Sequence, residues 1–292
     1  MRILLTGSTG QVGSELLPVL ERLGEVIAPS RGELDLADPT AVGSLIRELR
    51  PRWIVNPAAY TAVDKAESEP ELADAINHRS VGAMGLAAKA VGATILHFST
   101  DYVFDGEGAQ PYREIDPTHP AGVYGASKLA GEQALAASGA AYLIFRTSWV
   151  YGATGKNFLR TILGLARQRE QMKIVADQHG APTWSRDLAN MAAHVIQFCE
   201  QREAVAPLSG IYHAAGEGET SWFGFARRGI ELRQPFEPET RFAELLPIPT
   251  SEYPTPARRP LNSRLDCRKL QQTFGWRMMD WQESLAQVVS DL

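Results

Sequence analysis

Cysteine is scarce in this chain: Cys199 and Cys267 are the only two, and they lie far apart. Such a pair makes neither a metal-ligand spacing nor a disulfide framework. A reducing compartment suits it, so a cytoplasmic location is expected. Long apolar runs are missing too. The opening Met1-Arg2-Ile3-Leu4-Leu5-Thr6-Gly7 stops at a glycine, short of the apolar stretch of a secretory signal. No segment approaches the roughly 18 uninterrupted apolar residues of a membrane span, so no membrane partner is expected. A basic excess is also absent. Lys and Arg number 29 against 34 Asp and Glu, a net charge of -5. That balance argues against a protein that coats nucleic acid. It leaves room for an anionic small molecule, for which a few arginines suffice. Arg258-Arg259 is the compact basic pair amid unusual sequence.

What is present is an ordinary globular balance, 44% apolar and 22% charged over 292 residues. That length buries a large core without staples and holds one α/β domain, or a cofactor domain with a smaller partner. Short apolar runs at residues 3–5, 26–28, 53–55, 94–98 and 141–145 read as strands. Between them, helical spacing of apolar residues marks helices near 11–22, 39–49, 71–91 and 123–138. Asp38 stands where the second helix needs a cap. Strands alternating with helices imply right-handed crossovers and a parallel sheet. Beyond residue 150 the rhythm changes, with helices expected near 157–170 and 185–200. Residues 247–260 hold five prolines among aromatic and basic residues. Such a stretch excludes a regular helix or central strand and reads as a loop over a ligand or a surface connector.

Residues 6–13 are Thr6-Gly7-Ser8-Thr9-Gly10-Gln11-Val12-Gly13, directly after a strand and opening a helix. A tight turn there needs residues without Cβ. A pyrophosphate must also approach backbone N–H groups closely, and the helix N-terminus adds its dipole. The alternative is a tight strand-to-helix turn with no ligand. The position inside a βαβ pattern favours the dinucleotide. We therefore expect an α/β fold with a Rossmann-like doubly wound parallel sheet. Residues 1–150 would form an NAD(P)-binding domain. Residues 151–292 would be mainly a smaller α/β substrate-binding domain, with some segments returning to the first. After the second strand, Ser30-Arg31 offers a hydroxyl and a guanidinium where an acidic residue would favour a free ribose hydroxyl. These suit a 2′-phosphate, so NADPH is expected over NADH. Asp35-Leu36 would border the adenine.

Tyr124-Gly125-Ala126-Ser127-Lys128 puts a tyrosine and a lysine four apart, on one helix face. A phenol titrates near 10 and is a poor acid at neutral pH without help. A nearby cation lowers that value, and Lys128 can supply it while bonding a nicotinamide ribose. The alternative is an amphipathic helix surface. Two strand ends strengthen the catalytic reading. Thr100 and Asp101 follow the fourth strand, where ligands of a parallel sheet collect. The small residues of Asn56-Pro57-Ala58-Ala59-Tyr60-Thr61 follow the third and let a cofactor lie close to the backbone.

The glycine loop, Thr100 and the Tyr124–Lys128 pair together resemble the extended short-chain dehydrogenase/reductases. The strings from Ala58 to Glu67, Ser99 to Phe104, Phe145 to Tyr151, Asp177 to Thr183 and Arg259 to Asp266 are similar to the dTDP-4-dehydrorhamnose reductase family. The resemblance spans residues 4–266. It implies reduction of the 4-keto group of dTDP-4-dehydro-β-L-rhamnose by NAD(P)H, the last step of dTDP-L-rhamnose synthesis. Hydride would go to sugar C4, and Tyr124 would donate the proton. Carried over by position, Gly7, Gly10, Gln11, Val12 and Gly13 would meet the pyrophosphate. Ser30, Arg31, Asp35 and Leu36 would line the adenosine, and Ala59, Tyr60 and Thr61 the middle of the cofactor. Thr100, Asp101 and Trp149 would contact the sugar nucleotide. Asn157, Arg259 and Arg264 are further candidates for its diphosphate or thymidine. Some members bind Mg²⁺ at a carboxylate cluster in a dimer contact. Only Glu283 and Asp291 are acidic in this chain's last dozen residues, so no metal is expected, and a homodimer is left open. Alternatives are a reductase or epimerase–reductase for another nucleotide-activated 4-keto-6-deoxyhexose, or a non-catalytic regulatory homologue.

Overall fold

The computed structural model describes residues 1–292. β1 (Arg2–Leu5) leads through the glycine turn into α1 (Gly13–Glu21), β2 (Glu25–Ile27), α2 (Pro39–Leu49) and β3 (Trp53–Asn56). Asp38 caps α2 as expected, accepting from the Thr40 and Ala41 amides at 2.9 and 3.1 Å. Pro39 fits the first turn, where no N–H is needed. Two short helices follow, α3 (Val63–Ala66) and α4 (Pro70–Asp74). The single helix expected near 71–91 is instead α4, a π-helical turn (Ala75–Arg79) and α5 (Ser80–Val91). Apolar spacing does not register such a widened turn. β4 (Thr94–Thr100) runs on past residue 98, then come α6 (Val123–Ala137) and β5 (Ala141–Thr147).

The second half holds β6 (Val150–Tyr151), α7 (Phe158–Ala166), β7 (Gln171–Val175), β8 (His179–Gly180), β9 (Thr183–Trp184) and α8 (Ser185–Glu200). It ends with β10 (Gly210–His213), β11 (Thr220–Ser221), α9 (Trp222–Arg233), β12 (Glu244–Ile248), α10 (Arg268–Phe274) and α11 (Trp281–Ser290). The central sheet has the order β10-β5-β4-β3-β1-β2, and all its pairings are parallel. β10 and α8 thus return from the second half to the first. α8 lies against α1 in the largest apolar cluster, where Leu188, Met191 and Val195 meet Leu16 and Leu20.

The sheet strands are buried on both faces, and alternate residues sort cleanly. Ile3, Leu5, Trp53, Val55, Leu96 and Phe98 face the α1–α8 layer. Leu4, Ile54, Ile95 and Ile144 face the layer of α2 and α5. Each such fully buried aliphatic side chain contributes about 1.5–3 kcal/mol. Strand order reverses between β1 and β3, and the crevice beyond their carboxyl ends is where a doubly wound sheet takes its ligand. A separate apolar cluster joins α7, α9 and α11 through Leu159, Phe225 and Leu285. The proline-rich tract is not loop throughout. Pro247 sits in β12, pairing with Ile174 of β7 in a two-stranded sheet, and its missing N–H is tolerated at that edge. The rest crosses back to the first half, where Arg258 pairs with Glu107 and Arg259 with Asp64.

Candidate active site

At the carboxyl ends of β1, β3 and β4 lies a cavity of about 750 Å³, large enough for a dinucleotide-sized ligand. Its floor is the loop after β1. Gly7 has φ +60°, a left-handed conformation open to glycine, and a Cβ at Gly13 would stand 2.0 Å from the Gly7 carbonyl. The loop closes on itself through Gly10 N–H to Gly7 O at 2.9 Å. The N–H groups of Gln11, Val12 and Gly13 meet no backbone acceptor. They stand at the positive end of α1. An anion brought against this turn would find donors already aimed at it. These residues therefore fit a pyrophosphate.

All the predicted cofactor residues line this one cavity. Gly7 and Gly10 to Gly13 form one end, Ser30, Arg31, Asp35 and Leu36 the next, Ala59 to Thr61 the side, and Tyr124 and Lys128 the far wall. Ser30 and Arg31 are exposed at its mouth. Arg31 makes no hydrogen bond or ion pair within the chain, so its guanidinium is free for an anion. Glu33 is close by, yet its carboxylate is taken up by the Ser30 amide at 2.7 Å. That bond holds its pKa below the usual range. Tyr60 donates to Glu69 at 2.6 Å. The backbone of Tyr60 is clamped by Asn77, which accepts from its N–H at 2.8 Å and donates to its carbonyl at 3.1 Å.

Tyr124 and Lys128 lie one turn apart at the start of α6. Gly125 lets this turn abut the Asp101–Val103 turn, since a Cβ there would stand 2.1 Å from the Tyr102 carbonyl. Burial raises the Tyr124 pKa, and the Thr100 hydroxyl beside it works the other way. Lys128 is only 2% exposed. Its Nζ donates to the Phe98 carbonyl at 2.7 Å and lies 3.3 Å from His97 Nε2. Burial lowers its pKa to about 8, opposed by the charge of Glu132.

The predicted substrate residues lie outside this cavity and are more heavily engaged. Thr100 is buried; its hydroxyl donates to Asp101 at 3.1 Å and accepts from the Tyr102 amide at 3.2 Å. Burial pushes the Asp101 carboxyl up to about 6, and its Oδ2 has no partner. Arg259 donates to Tyr102 at 3.1 Å and to Asp64 at 2.6 Å. Tyr102 in turn packs edge-on against Tyr124, with 5.4 Å between ring centres. Arg259 thereby reaches toward Tyr124 through one aromatic ring. Trp149 has φ +48°, a strained conformation for so bulky a residue. Its ring stacks on Trp222 at 3.6 Å. Two further candidates bond within the chain. Asn157 caps α7, accepting from Arg160 N–H, and both donors of its amide go to Gly152 and Thr154 carbonyls. Arg264 spends its guanidinium on Asn262, Glu219 and the Ala109 carbonyl. The Asn157 amide thus has no donor left for a diphosphate, whereas Arg264 keeps two of its five guanidinium N–H groups.

A family model described as the RmlD substrate binding domain matches residues 1–292. The chain belongs to this family. A dTDP-4-dehydrorhamnose reductase of Burkholderia thailandensis is 48% identical over 100% of this chain and 99% of that protein. The crystal structure of a dTDP-4-dehydrorhamnose reductase from Clostridium acetobutylicum superimposes with a TM-score of 0.91 at 37% identity, covering 99% of both chains. Another from Bacillus anthracis, in complex with NADP, gives 0.90 at 34% identity over 100% of this chain and 99% of that one.

Within this RmlD-type frame, several site residues escaped the sequence reading. Asn77 reaches inward from the π-helical turn and also donates to Ser127 at 3.0 Å. No sequence pattern announces it. Lys156 lines the cavity and makes no ion pair; it follows Gly155, whose Cβ would lie 3.8 Å from Gln11. His97 meets Lys128 from a strand that reads as plain core. No group of three or more His, Cys, Asp or Glu is placed to hold a metal ion. Glu15 and Asp291 both pair with Arg186, at 3.0 and 3.2 Å. No helix is long and apolar enough to cross a membrane.

Proposed function

We propose that the protein reduces the 4-keto group of dTDP-4-dehydro-β-L-rhamnose with NADPH, forming dTDP-L-rhamnose. The carrying observation is the meeting, in one cavity, of an open-donor glycine turn with Tyr124 and Lys128 on one face of α6. The names of the relatives supply the sugar. When bound, the nicotinamide supplies the hydride that reduces sugar C4. Tyr124 starts protonated, because burial raises its pKa. It donates its proton to the alkoxide oxygen as that charge develops. The Lys128 ammonium stabilises the phenolate left behind, and solvent returns the proton. Thr100 holds the turn beside Tyr124 and offers its hydroxyl proton to the substrate carbonyl oxygen in exchange for its bond to Asp101. Arg31 and Ser30 take the 2′-phosphate. Gln11 to Gly13 take the pyrophosphate, with Lys156 balancing charge at the mouth. Asp101, Arg259 and Trp149 form the sugar-nucleotide side.

We assign residues 1–150 to the cofactor domain and the α7–α9–α11 cluster to the sugar-nucleotide side, with α8 and β10 returning to the first. The test is oxidation of NADPH by the purified protein with a panel of 4-keto sugar nucleotides. Turnover is expected with the dTDP-linked rhamnose precursor above all others. A better substrate elsewhere in the panel overturns the sugar assignment, and no oxidation with any member favours a non-catalytic homologue.

A further inference from the structure

One step beyond the apolar row under α2 and α5, the same face of the sheet turns polar. Leu4, Ile54 and Ile95 form the apolar row. Two residues further along each strand stand Thr6, Asn56 and His97, exposed by 2%, 1% and 0%. Asn56 and His97 are register partners across β3 and β4. The three side chains form a chain of contacts. Thr6 Oγ1 lies 2.5 Å from Asn56 Oδ1, and Asn56 Nδ2 lies 2.9 Å from His97 Nδ1. His97 Nε2 then lies 3.3 Å from Lys128 Nζ. A continuous polar thread thus runs from the start of the phosphate turn to the lysine of the catalytic pair.

Proton bookkeeping decides how this thread is arranged. An ammonium has donors only, so the ring nitrogen facing it must accept. A neutral imidazole that accepts at Nε2 carries its proton on Nδ1. That Nδ1–H needs an acceptor, and the partner available is Asn56. Its amide oxygen would therefore face His97 and its NH₂ would face Thr6, and the Thr6 contact, at 2.5 Å an O–H···O distance, would lengthen into the N–H···O range of about 2.7–3.2 Å. With the amide unturned, Nδ1 accepts, and Nε2–H points at the ammonium, donor against donor. An imidazolium is disfavoured by the same surroundings, since burial and the Lys128 charge hold the ring well below its ordinary pKa.

We propose that His97 is a positioning residue for Lys128: a neutral ring, protonated on Nδ1 and held by Asn56, whose Nε2 lone pair fixes the ammonium at the end of β4. Its kinetic consequence rests on the reductase reading above. Around the ammonium, the titratable groups are His97 from β4, Tyr124 one turn back and Glu132 one turn on. Glu132 is held by Arg146 of β5 at 2.9 and 2.6 Å. Lys65 and Glu69 line the same cavity and pair with each other at 3.1 Å. Burial already lowers the Lys128 pKa to about 8. Losing an acceptor from the charged form lowers it further.

The test has two arms. In the unaltered protein, ¹⁵N-histidine NMR resolves the six histidines, with His97 assigned through His97→Gln. The expected result is a neutral Nδ1–H tautomer, unchanged between about pH 5 and 8. An Nε2–H tautomer, or a ring that titrates in that window, overturns the proposal without reference to turnover. In the second arm, His97→Leu should move the alkaline limb of kcat/KM down by about one pH unit. It should lower kcat about tenfold, with KM for the sugar nucleotide within about twofold. His97→Gln, which restores a carbonyl acceptor, should recover most of both. A His97→Leu profile that superimposes on the wild type, or equal losses in both variants, overturns the proposal. If His97→Leu does not fold, the tautomer and the His97→Gln profile still decide. An Nδ1–H tautomer in a protein inactive on every 4-keto sugar would sink the substrate reading and support this one.

Discussion

The two ends of the proposed site recognise in different ways. At the cofactor end the donors stand open. Gln11, Val12 and Gly13 present N–H groups without backbone partners, and Arg31 is unpaired at the mouth. At the sugar end most polar groups are already bonded to one another, Asp101 Oδ2 excepted. Arg259 holds Asp64 and Tyr102, and Thr100 holds Asp101 and the Tyr102 amide. A ligand meets a preformed cradle at one end and must exchange existing bonds at the other. Pre-organisation lowers the cost of binding, so the cofactor end should bind first and more rigidly.

That contrast can be broken or sharpened by measurement. The largest effect is expected where the ends meet. Tyr124→Phe should cut kcat by about 10²–10⁴-fold while NADPH affinity, read by fluorescence titration, stays nearly unchanged. Unchanged turnover would remove Tyr124 from the chemistry. Next comes Gly13→Ala, whose Cβ would stand 2.0 Å from the Gly7 carbonyl. It should weaken NADPH binding by about a hundredfold and cost about 1–3 kcal/mol of stability in urea unfolding. Normal NADPH binding would show that the turn is not a pre-built cradle. Arg31→Ala should lower the preference for NADPH over NADH by about tenfold or more, the worth of a charge-assisted bond. An NADH preference in the unaltered protein would reject the 2′-phosphate assignment.

A smaller effect concerns pH. Burial lowers the Lys128 pKa from the ordinary lysine value of 10.5 to about 8. The ammonium is the working form, so kcat/KM should be full below about pH 8 and fall about tenfold per unit above it. A limb near the ordinary lysine value would mean that burial does not govern this group. Smallest is Asn157→Ala. Its side chain caps α7, so the variant should lose about 1 kcal/mol of stability with KM for the sugar nucleotide unchanged. A large KM increase would return Asn157 to the ligand side.

Much of this molecule is written in short-range pattern. The alternation of strands and helices, the Asp38 cap, the glycine turn and the Tyr124–Lys128 spacing were all legible, because each depends on residues within about one helical turn of one another. The same locality explains why most of the predicted cofactor residues gather along one cavity: they follow strand ends, and parallel strands bring their carboxyl ends together, while Tyr124 and Lys128 join them from α6. What a side chain does once there is another matter. Asn157, Arg259 and Arg264 look alike in sequence as free polar groups. Yet the Asn157 amide is spent on the start of α7, Arg264 is tied to Asn262, Glu219 and the Ala109 carbonyl, and Arg259 borders Tyr102. Asn77 and His97 sit in runs that read as ordinary helix and core strand. One is turned inward by a single widened turn, the other by a register that sets β4 beside β3. The chain's local pattern alone determined most of the elements, the glycine turn after β1 and the spacing that puts Tyr124 and Lys128 on one helix face. Only the tertiary structure decided which donors stay free, which histidine meets Lys128, and that α8 and β10 return to the sheet. Those outcomes depend on contacts across dozens of residues, and local spacing carries no record of them.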